Sequence, residues 1–378
     1  MQFTRLFSEF FESEKSGGIV LIFVTLISLL LSNFLIGQDY VDFWHYEISG
    51  HSVTHWINDG LMTIFFLLIG LELEREIYIG ELSDFKSASL PVIAALGGML
   101  VPAGIYFLFT SGTSFTSGAG IPMATDIAFA VGILSLLGSK VPLSLKVFLT
   151  ALAVIDDLGA ILVIAIFYGG QVSLINLAIS LSIMAGLFIL NRRKVHVMWP
   201  YLIGGFGMWY FMLHSGIHAT IAGVLLAFVI PFGKGTELTI SYRLQQFLHK
   251  PVAFFILPLF ALANTAILVK SGFGEMISQT YSLGIFAGLY LGKPLGILLF
   301  CFLAIKLKLT SLPKGLKWSQ LFGTGMLAGI GFTMSIFITL LAFDDTVIID
   351  NAKLIIMIAS LMAAITGYII LNKVLTRV

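Results

Sequence analysis

The chain has 378 residues, 58% hydrophobic and 11% charged, with a mean hydropathy of +1.01. Soluble domains carry about 25% charged residues, so this composition excludes an ordinary soluble globule and reads as an all-α polytopic membrane protein. The formal net charge of +1 excludes a nucleic-acid binder, which needs a basic face, and a single cysteine, Cys301, excludes an internal disulfide.

The first apolar stretch, 17–36, is too long for a signal-peptide core and is followed by no small-residue cleavage site. Others follow at 57–77, 88–109, 121–137, 143–167, 173–190, 198–213, 216–232, 251–269, 281–305, 320–342 and 353–372. A bilayer core takes about 20 apolar residues in a helix, so the chain is expected to form about twelve transmembrane helices in one domain over 1–378. Basic residues gather at the N-terminus and in the even-numbered loops. They are Arg5 and Lys15; Arg75 and Lys86; Lys140 and Lys146; Arg192, Arg193 and Lys194; Lys234, Arg243 and Lys250; Lys306, Lys308, Lys314 and Lys317; and Lys373 and Arg377. The opposite loops hold only Lys270 and Lys353. By the positive-inside rule both termini are cytoplasmic, as an even number of crossings requires.

Along the spans, a few polar residues stand out. Glu72, Glu74 and Glu76 end the second span in GLELEREIYIG. They read either as a solvated helix end or as an acidic funnel that concentrates cations. Asp59, at the other end of that span, reads as a cap or interface residue. Asp126 lies in GIPMATDIAFAVG, where Pro122 and the Thr125–Asp126 pair interrupt the fourth span. Asp156 and Asp157 stand side by side in TALAVIDDLGAILVIAIF, with no other charge between Lys146 and Arg192. His218 is a lone histidine near the start of the eighth span, either a hydrogen-bonded structural group or a pH sensor. Lys293, followed by Pro294, is too deep in the tenth span to snorkel. Gly325, Gly329, Gly331, Thr333 and Ser335 interrupt the eleventh.

Asp126, Asp156, Asp157 and Lys293 together cost on the order of 10–14 kcal/mol if unpaired in a membrane. Three acids and one base suggest one ion pair and two spare carboxylates. Neighbouring helix positions point about 100° apart, so Asp156 and Asp157 do not share one face. One is expected to meet a neighbouring helix and the other a water-filled cavity. Two interrupted spans in corresponding halves point to a transporter's midplane site. Asp126 is placed to neutralise freed amide ends at a break, and Lys293 freed carbonyl ends.

These residues together resemble the NhaA-type sodium/proton antiporters. The matching stretches are WINDGLMTIFFLLIGLELERE, PVIAALGGMLVPAG, IPMATDIAFAVGILSLLGSKVPLSLKVFLTALAVIDDLGAI, SGIHATIAGV, ILPLFALANTAI, GLYLGKPLGI and GIGFTMSIF, in order over nearly the whole chain. The combination of ATDIAFA, AVIDDLGA and GKPLG carries the specificity. The resemblance implies an inverted repeat of helices 3–5 and 10–12, with helices 4 and 11 broken and crossing near mid-membrane. It implies that Asp156 and Asp157 bind the transported cation and protons. Asp126 and Lys293 then balance the broken-helix dipoles, with Lys293 also a partner of Asp156. Thr125 and Thr333 lie near the site, Glu72 and Glu76 in the cytoplasmic funnel, and His218 in pH response. Two stretches depart from the family. SYRLQQFLHKP carries Tyr242 and Gln245 where members often carry a lysine and a glutamate, which leaves the pH set-point open. The outer loop GQDYVDFWHYEISGHSVTH is shorter than the hairpin some members use to dimerise, which leaves a homodimer open.

The expected function is an electrogenic antiporter of the bacterial inner membrane, exporting Na+ and Li+ against inward H+ and serving sodium and pH homeostasis. Two adjacent carboxylates do not both stay ionised cheaply in low dielectric; they hold protons or a cation, and alternating access turns that choice into exchange. No GxxxxGK[ST] occurs, so neither nucleotide nor other cofactor is expected, and no enzymatic activity. An intramembrane aspartyl protease would need one Asp on each of two helices. A passive cation channel, or an antiporter for another cation such as K+, is separated by proton coupling and cation dependence in vesicles.

Overall fold

The computed structural model describes residues 2–170, 172–233, 239–269, 272–313 and 315–375. Lys234, Lys270, Lys314 and Arg377, four of the loop charges named above, lie outside them. Among the described residues, nine helical stretches are long and apolar enough to cross a membrane, one of them the interrupted Ser114–Ser135. A tenth crossing is the pair Trp318–Ala328 and Phe332–Ala342, bent by 47° at its break. Helices Met198–Leu213 and Ile221–Val229 occupy the seventh and eighth apolar stretches. The second of these is short because residues 214–220 turn rather than wind and Pro231 follows its end. Its nine residues reach only about 14 Å at 1.5 Å per residue.

Hydrogen bonds show which loops share a side. Gly170 N–H donates to Gly216 O, joining the loops after the fifth and seventh spans on one side, which we label outer. Ser89 Oγ bonds Thr310 Oγ1 at 2.9 Å on the opposite side, which we label inner. The outer loop after the first span closes into a hairpin of strands Glu47–Ile48 and His51–Ser52. Ser49 and Gly50 supply the positive φ that a two-residue hairpin turn needs.

The third span, Phe85–Thr110, packs along the tenth, which runs through helices Thr280–Ala287 and Lys293–Lys306. The seam is glycine on both sides. A Cβ on Gly97 would lie 2.3 Å from Gly296 O, and one on Gly296 would lie 2.1 Å from Gly97 O. Small residues let backbones meet where lipid gives no hydrophobic drive. The fifth span, Leu143–Phe167, lies against the third and eleventh; the twelfth, Thr346–Leu375, against the tenth and eleventh. Ile166, Phe167, Leu174 and Ile175 are exposed, as apolar side chains facing hydrocarbon are.

The fourth span has two unlike arms. Its outer arm, Ser114–Met123, is a 3-10 helix, and its inner arm, Ile127–Ser135, is an α-helix. Between them Ala124 and Asp126 are extended. Runs of 3-10 winding beyond three or four residues are uncommon, so this ten-residue arm is held by its neighbours.

Candidate functional site

The breaks of the fourth and eleventh spans meet. Asp126 N–H donates to Ile330 O at 2.6 Å. The Asp126 carboxylate caps two helices at once. Oδ1 accepts Phe129 N–H at 3.0 Å, at the start of the inner arm. Oδ2 accepts Thr333 N–H at 2.9 Å and Thr333 Oγ1–H at 2.6 Å, at the start of Phe332–Ala342. Each helix start exposes amide hydrogens that carry partial positive charge. Asp126 is therefore not one of the spare carboxylates expected from the charge count.

Lys293 and Asp156 form the ion pair. Nζ lies 2.7 Å from Asp156 Oδ2, and both side chains are wholly buried. Nζ also donates to Met123 O, the last carbonyl of the outer arm of the fourth span. Lys293 takes its aim from a π turn, Gly288–Gly292, directly before it. Pro294 has no N–H to offer the preceding turn, so regular α winding has no claim there. Thr125 completes the cluster: Oγ1 lies 2.7 Å from Asp156 Oδ2 and 2.8 Å from Ala328 O. One hydroxyl has one proton for these two acceptors. Both contacts are hydrogen bonds at once only when Asp156 carries a proton of its own to donate.

Asp157 differs from its neighbour. It is 1% exposed, and neither carboxylate oxygen accepts a hydrogen bond among the described residues; Asp156 Oδ1 accepts none either. Its charged neighbours are Asp156, Asp126, Glu72 and Lys293, three acids to one base. Such a buried cluster gains from one more positive charge, whether a cation or a proton.

The remaining expected residues lie at the two ends. On the inner side Glu72 and Glu74 are buried, which overturns the reading of the run as a solvated helix end, while Glu76 is half-buried. Helix Met62–Tyr78 continues through all three and packs on helix Ile240–Pro251. Glu72 Oε1 lies 4.0 Å from His249 Nε2. Ser241 hydrogen-bonds Glu74. Arg75 meets both departing residues: Nη1 donates to Gln245 Oε1 at 3.4 Å, and the guanidinium lies 5.5 Å from the Tyr242 ring centroid. On the outer side His55 pairs with Asp59 at 3.2 Å. His218 is not beside the carboxylates. Its Nε2 donates to Tyr168 O at 2.6 Å, at the outer end of the fifth span. Tyr168 is eleven residues beyond Asp157, about 16 Å along the helix.

Sequence reasoning missed the carbonyls of Met123, Ala328 and Ile330, because every residue carries one and no side chain announces it. It also missed Tyr168, because an aromatic at a span end reads as an interfacial anchor.

The sequence matches the family described as Na+/H+ antiporter 1 over residues 8–371. It is 62% identical to a Cytophaga hutchinsonii protein named Na(+)/H(+) antiporter NhaA, over 99% of this chain and 97% of that one. It is 63% identical to Na(+)/H(+) antiporter NhaA 1 of Flavobacterium johnsoniae, over 100% and 99%. A Dechloromonas aromatica protein named Na(+)/H(+) antiporter NhaA is 55% identical over 98% and 96%.

Proposed function

Because the chain belongs to the Na+/H+ antiporter 1 family and is a multi-pass membrane protein that exchanges Na+ for H+, we propose that the exchange runs through Asp156 and Asp157. One observation carries this reading. Asp156 Oδ1 and both oxygens of Asp157 are buried mid-span and accept no hydrogen bond among the described residues. Alkali cations are hard and take oxygen ligands. These three oxygens offer that donor set, and the same oxygens take protons.

Cation and proton therefore exclude each other at one place. Asp157 is the open ligand. Asp156 is shared between the ion and Lys293, so the cation competes with the ammonium as well as with protons. Thr125 registers the outcome: it donates to Asp156 or to Ala328 O according to whether Asp156 is ionised, which ties occupancy to the crossing. Asp126 and Lys293 hold the two breaks by balancing their amide and carbonyl ends. Glu72 and Glu76 draw cations toward the inner mouth. The exchange is electrogenic, with more protons entering than Na+ leaving, and Li+ is accepted alongside Na+. The membrane is the bacterial inner membrane with both termini cytoplasmic, supported by the sorting of Lys and Arg to the even loops. No chemical step on a substrate is needed, and none is proposed.

The test is Na+-induced dissipation of a pH gradient in proteoliposomes. Asp157→Asn should abolish it in a folded protein, because an amide does not alternate between proton and cation. Asp156→Asn should abolish or severely weaken it. Wild-type exchange in Asp157→Asn vesicles would rule out the site assignment.

A further inference from the structure

The outer arm of the fourth span has four carbonyls held by side chains from elsewhere. Ser335 Oγ donates to Ile121 O at 2.7 Å, and Lys293 Nζ donates to Met123 O; both belong to the crossing. The other two donors are tyrosines outside it. Tyr106 Oη, at the outer end of the third span, donates to Phe115 O at 2.7 Å. Tyr168 Oη, just past the fifth span, donates to Ser117 O at 2.6 Å.

Tyr168 does more than Tyr106. Its hydroxyl also accepts Gly120 N–H at 3.3 Å. Its own carbonyl takes the His218 Nε2 proton, and since a carbonyl only accepts, Nε2 is the protonated nitrogen. The loop behind it is tied down as well: Gly170 N–H donates to Gly216 O at 2.9 Å, Ser173 N–H to Ser215 O at 2.8 Å, and Asn176 Nδ2 to His214 O at 2.9 Å. Tyr168 thus joins three pieces: the helix of Asp156 and Asp157, the outer arm that leads into Thr125 and Asp126, and the turn before the eighth span. A 3-10 arm of this length takes its direction from its anchors rather than from its own winding. Gly120 leaves room for the hydroxyl, since a Cβ there would lie 2.7 Å from Tyr168 Oη.

We propose that Tyr168 is a positioning residue for ion exchange, its hydroxyl fixing the outer arm of the fourth span, and with it Thr125, against the helix that carries Asp156 and Asp157. The proposal rests on those two carboxylates being the ion site. His218 acts at the same point, holding the Tyr168 backbone so that its ring meets the arm.

The experiment measures the Na+ dependence of pH-gradient dissipation in proteoliposomes, with the melting temperature of each variant in detergent. Tyr168→Phe keeps the ring and removes the hydroxyl. Its KM for Na+ should rise about tenfold, the equivalent of one lost hydrogen bond, while the maximal rate falls less than about threefold. Gly120→Ala should raise KM similarly by displacing the hydroxyl. The double variant should lie close to Tyr168→Phe alone and well short of the product of the two effects, because the added methyl then meets no oxygen and keeps only the 3.3 Å carbon contacts with the ring and Ile338 Cγ2. A wild-type KM in Tyr168→Phe, whatever its melting temperature, would overturn the proposal. So would a double variant whose KM is the product of the two single effects. If Tyr168→Phe does not fold, the KM of Gly120→Ala decides. Asp157→Asn, run alongside, separates the two levels. Exchange in that variant sinks the ion site itself, whereas a dead Asp157→Asn beside an unaffected Tyr168→Phe sinks only the positioning role.

Discussion

The fourth span enters its break as a 3-10 arm whose carbonyls are held by side chains of the third, fifth, tenth and eleventh spans, and leaves it capped by Asp126. The eleventh span enters its break as one ordinary helix, Trp318–Ala328, and leaves it as another, Phe332–Ala342. Beyond the bonds it shares with Asp126 and Thr125, it depends on closeness. A Cβ on Gly329 would lie 2.5 Å from Leu289 O, on the π turn of the tenth span. Asp126 and Thr125 serve both breaks, but the fourth span is also anchored along its outer arm by side-chain donors, and the eleventh also needs glycine against a neighbouring backbone. Loss of a polar group at the crossing should therefore hurt both, whereas a gained methyl should tell most at the eleventh.

Lys293→Ala is the heaviest blow to the crossing. It leaves Asp156 buried without its cation and Met123 O without its donor, and removing one partner of a buried pair costs about 3–5 kcal/mol. The melting temperature in detergent should fall sharply, and Lys293→Arg should keep more of it. Equal melting of Lys293→Ala and wild type would refute the pairing. Asp126→Ala comes next. It strands Phe129 N–H, Thr333 N–H and the Thr333 hydroxyl, with a loss of about 2–4 kcal/mol from buried donors left unmade. Asp126→Asn should recover part of that loss, since an amide oxygen still accepts; if Ala and Asn melt alike, acceptance is not what Asp126 provides. Gly329→Ala tests the other break. Overpacking costs about 1–3 kcal/mol, and no polar rescue should help it. A neutral Gly329→Ala would show that the eleventh break yields, and the contrast between the two would lose its basis.

The smallest effect asks whether pH acts at the crossing at all. If protons and Na+ compete for Asp156 and Asp157, lowering the pH lowers the apparent Na+ affinity, about tenfold per unit for each competing proton. Saturating Na+ should then restore most of the rate at mildly acidic pH. A rate that stays near zero at any Na+ concentration would place the control elsewhere, with the inner-end cluster of Glu72, His249, Arg75 and Gln245 the first place to look.

Charges in the wrong solvent were the most legible part of the site. Asp126, Asp156, Asp157 and Lys293 are each too costly in a membrane to be incidental, and the structure brings all four to one crossing. The 100° between adjacent helix positions implied that Asp156 and Asp157 face different surroundings. It did not say which is paired, because that depends on where Lys293 points from another helix. Gly and Pro marked both breaks, yet nothing in GIPMATD distinguishes a 3-10 arm from an α one, since its winding comes from tyrosines and a lysine far along the chain. Hydropathy found all twelve apolar stretches but overstated the eighth, because SGIHAT is apolar enough to read as span while it turns. The acidic run after Gly70 left two readings open, because a run of charges at a span end looks solvated until a second helix is laid across it, as happens to Glu72 and Glu74.

The π turn at Gly288–Gly292 sets the rotational phase of the tenth span. An α-helix turns about 100° with each residue, and a π turn takes up extra length within one turn. Everything after it is offset in angle from the line laid down by Thr280–Ala287. On that offset depend both the Lys293 ammonium facing Asp156 and the Gly296 backbone facing Gly97. A deletion of a single residue between 288 and 292 would let the helix wind regularly and swing the two away together, a lesion of aim that leaves composition, hydropathy and every ion-site residue unchanged.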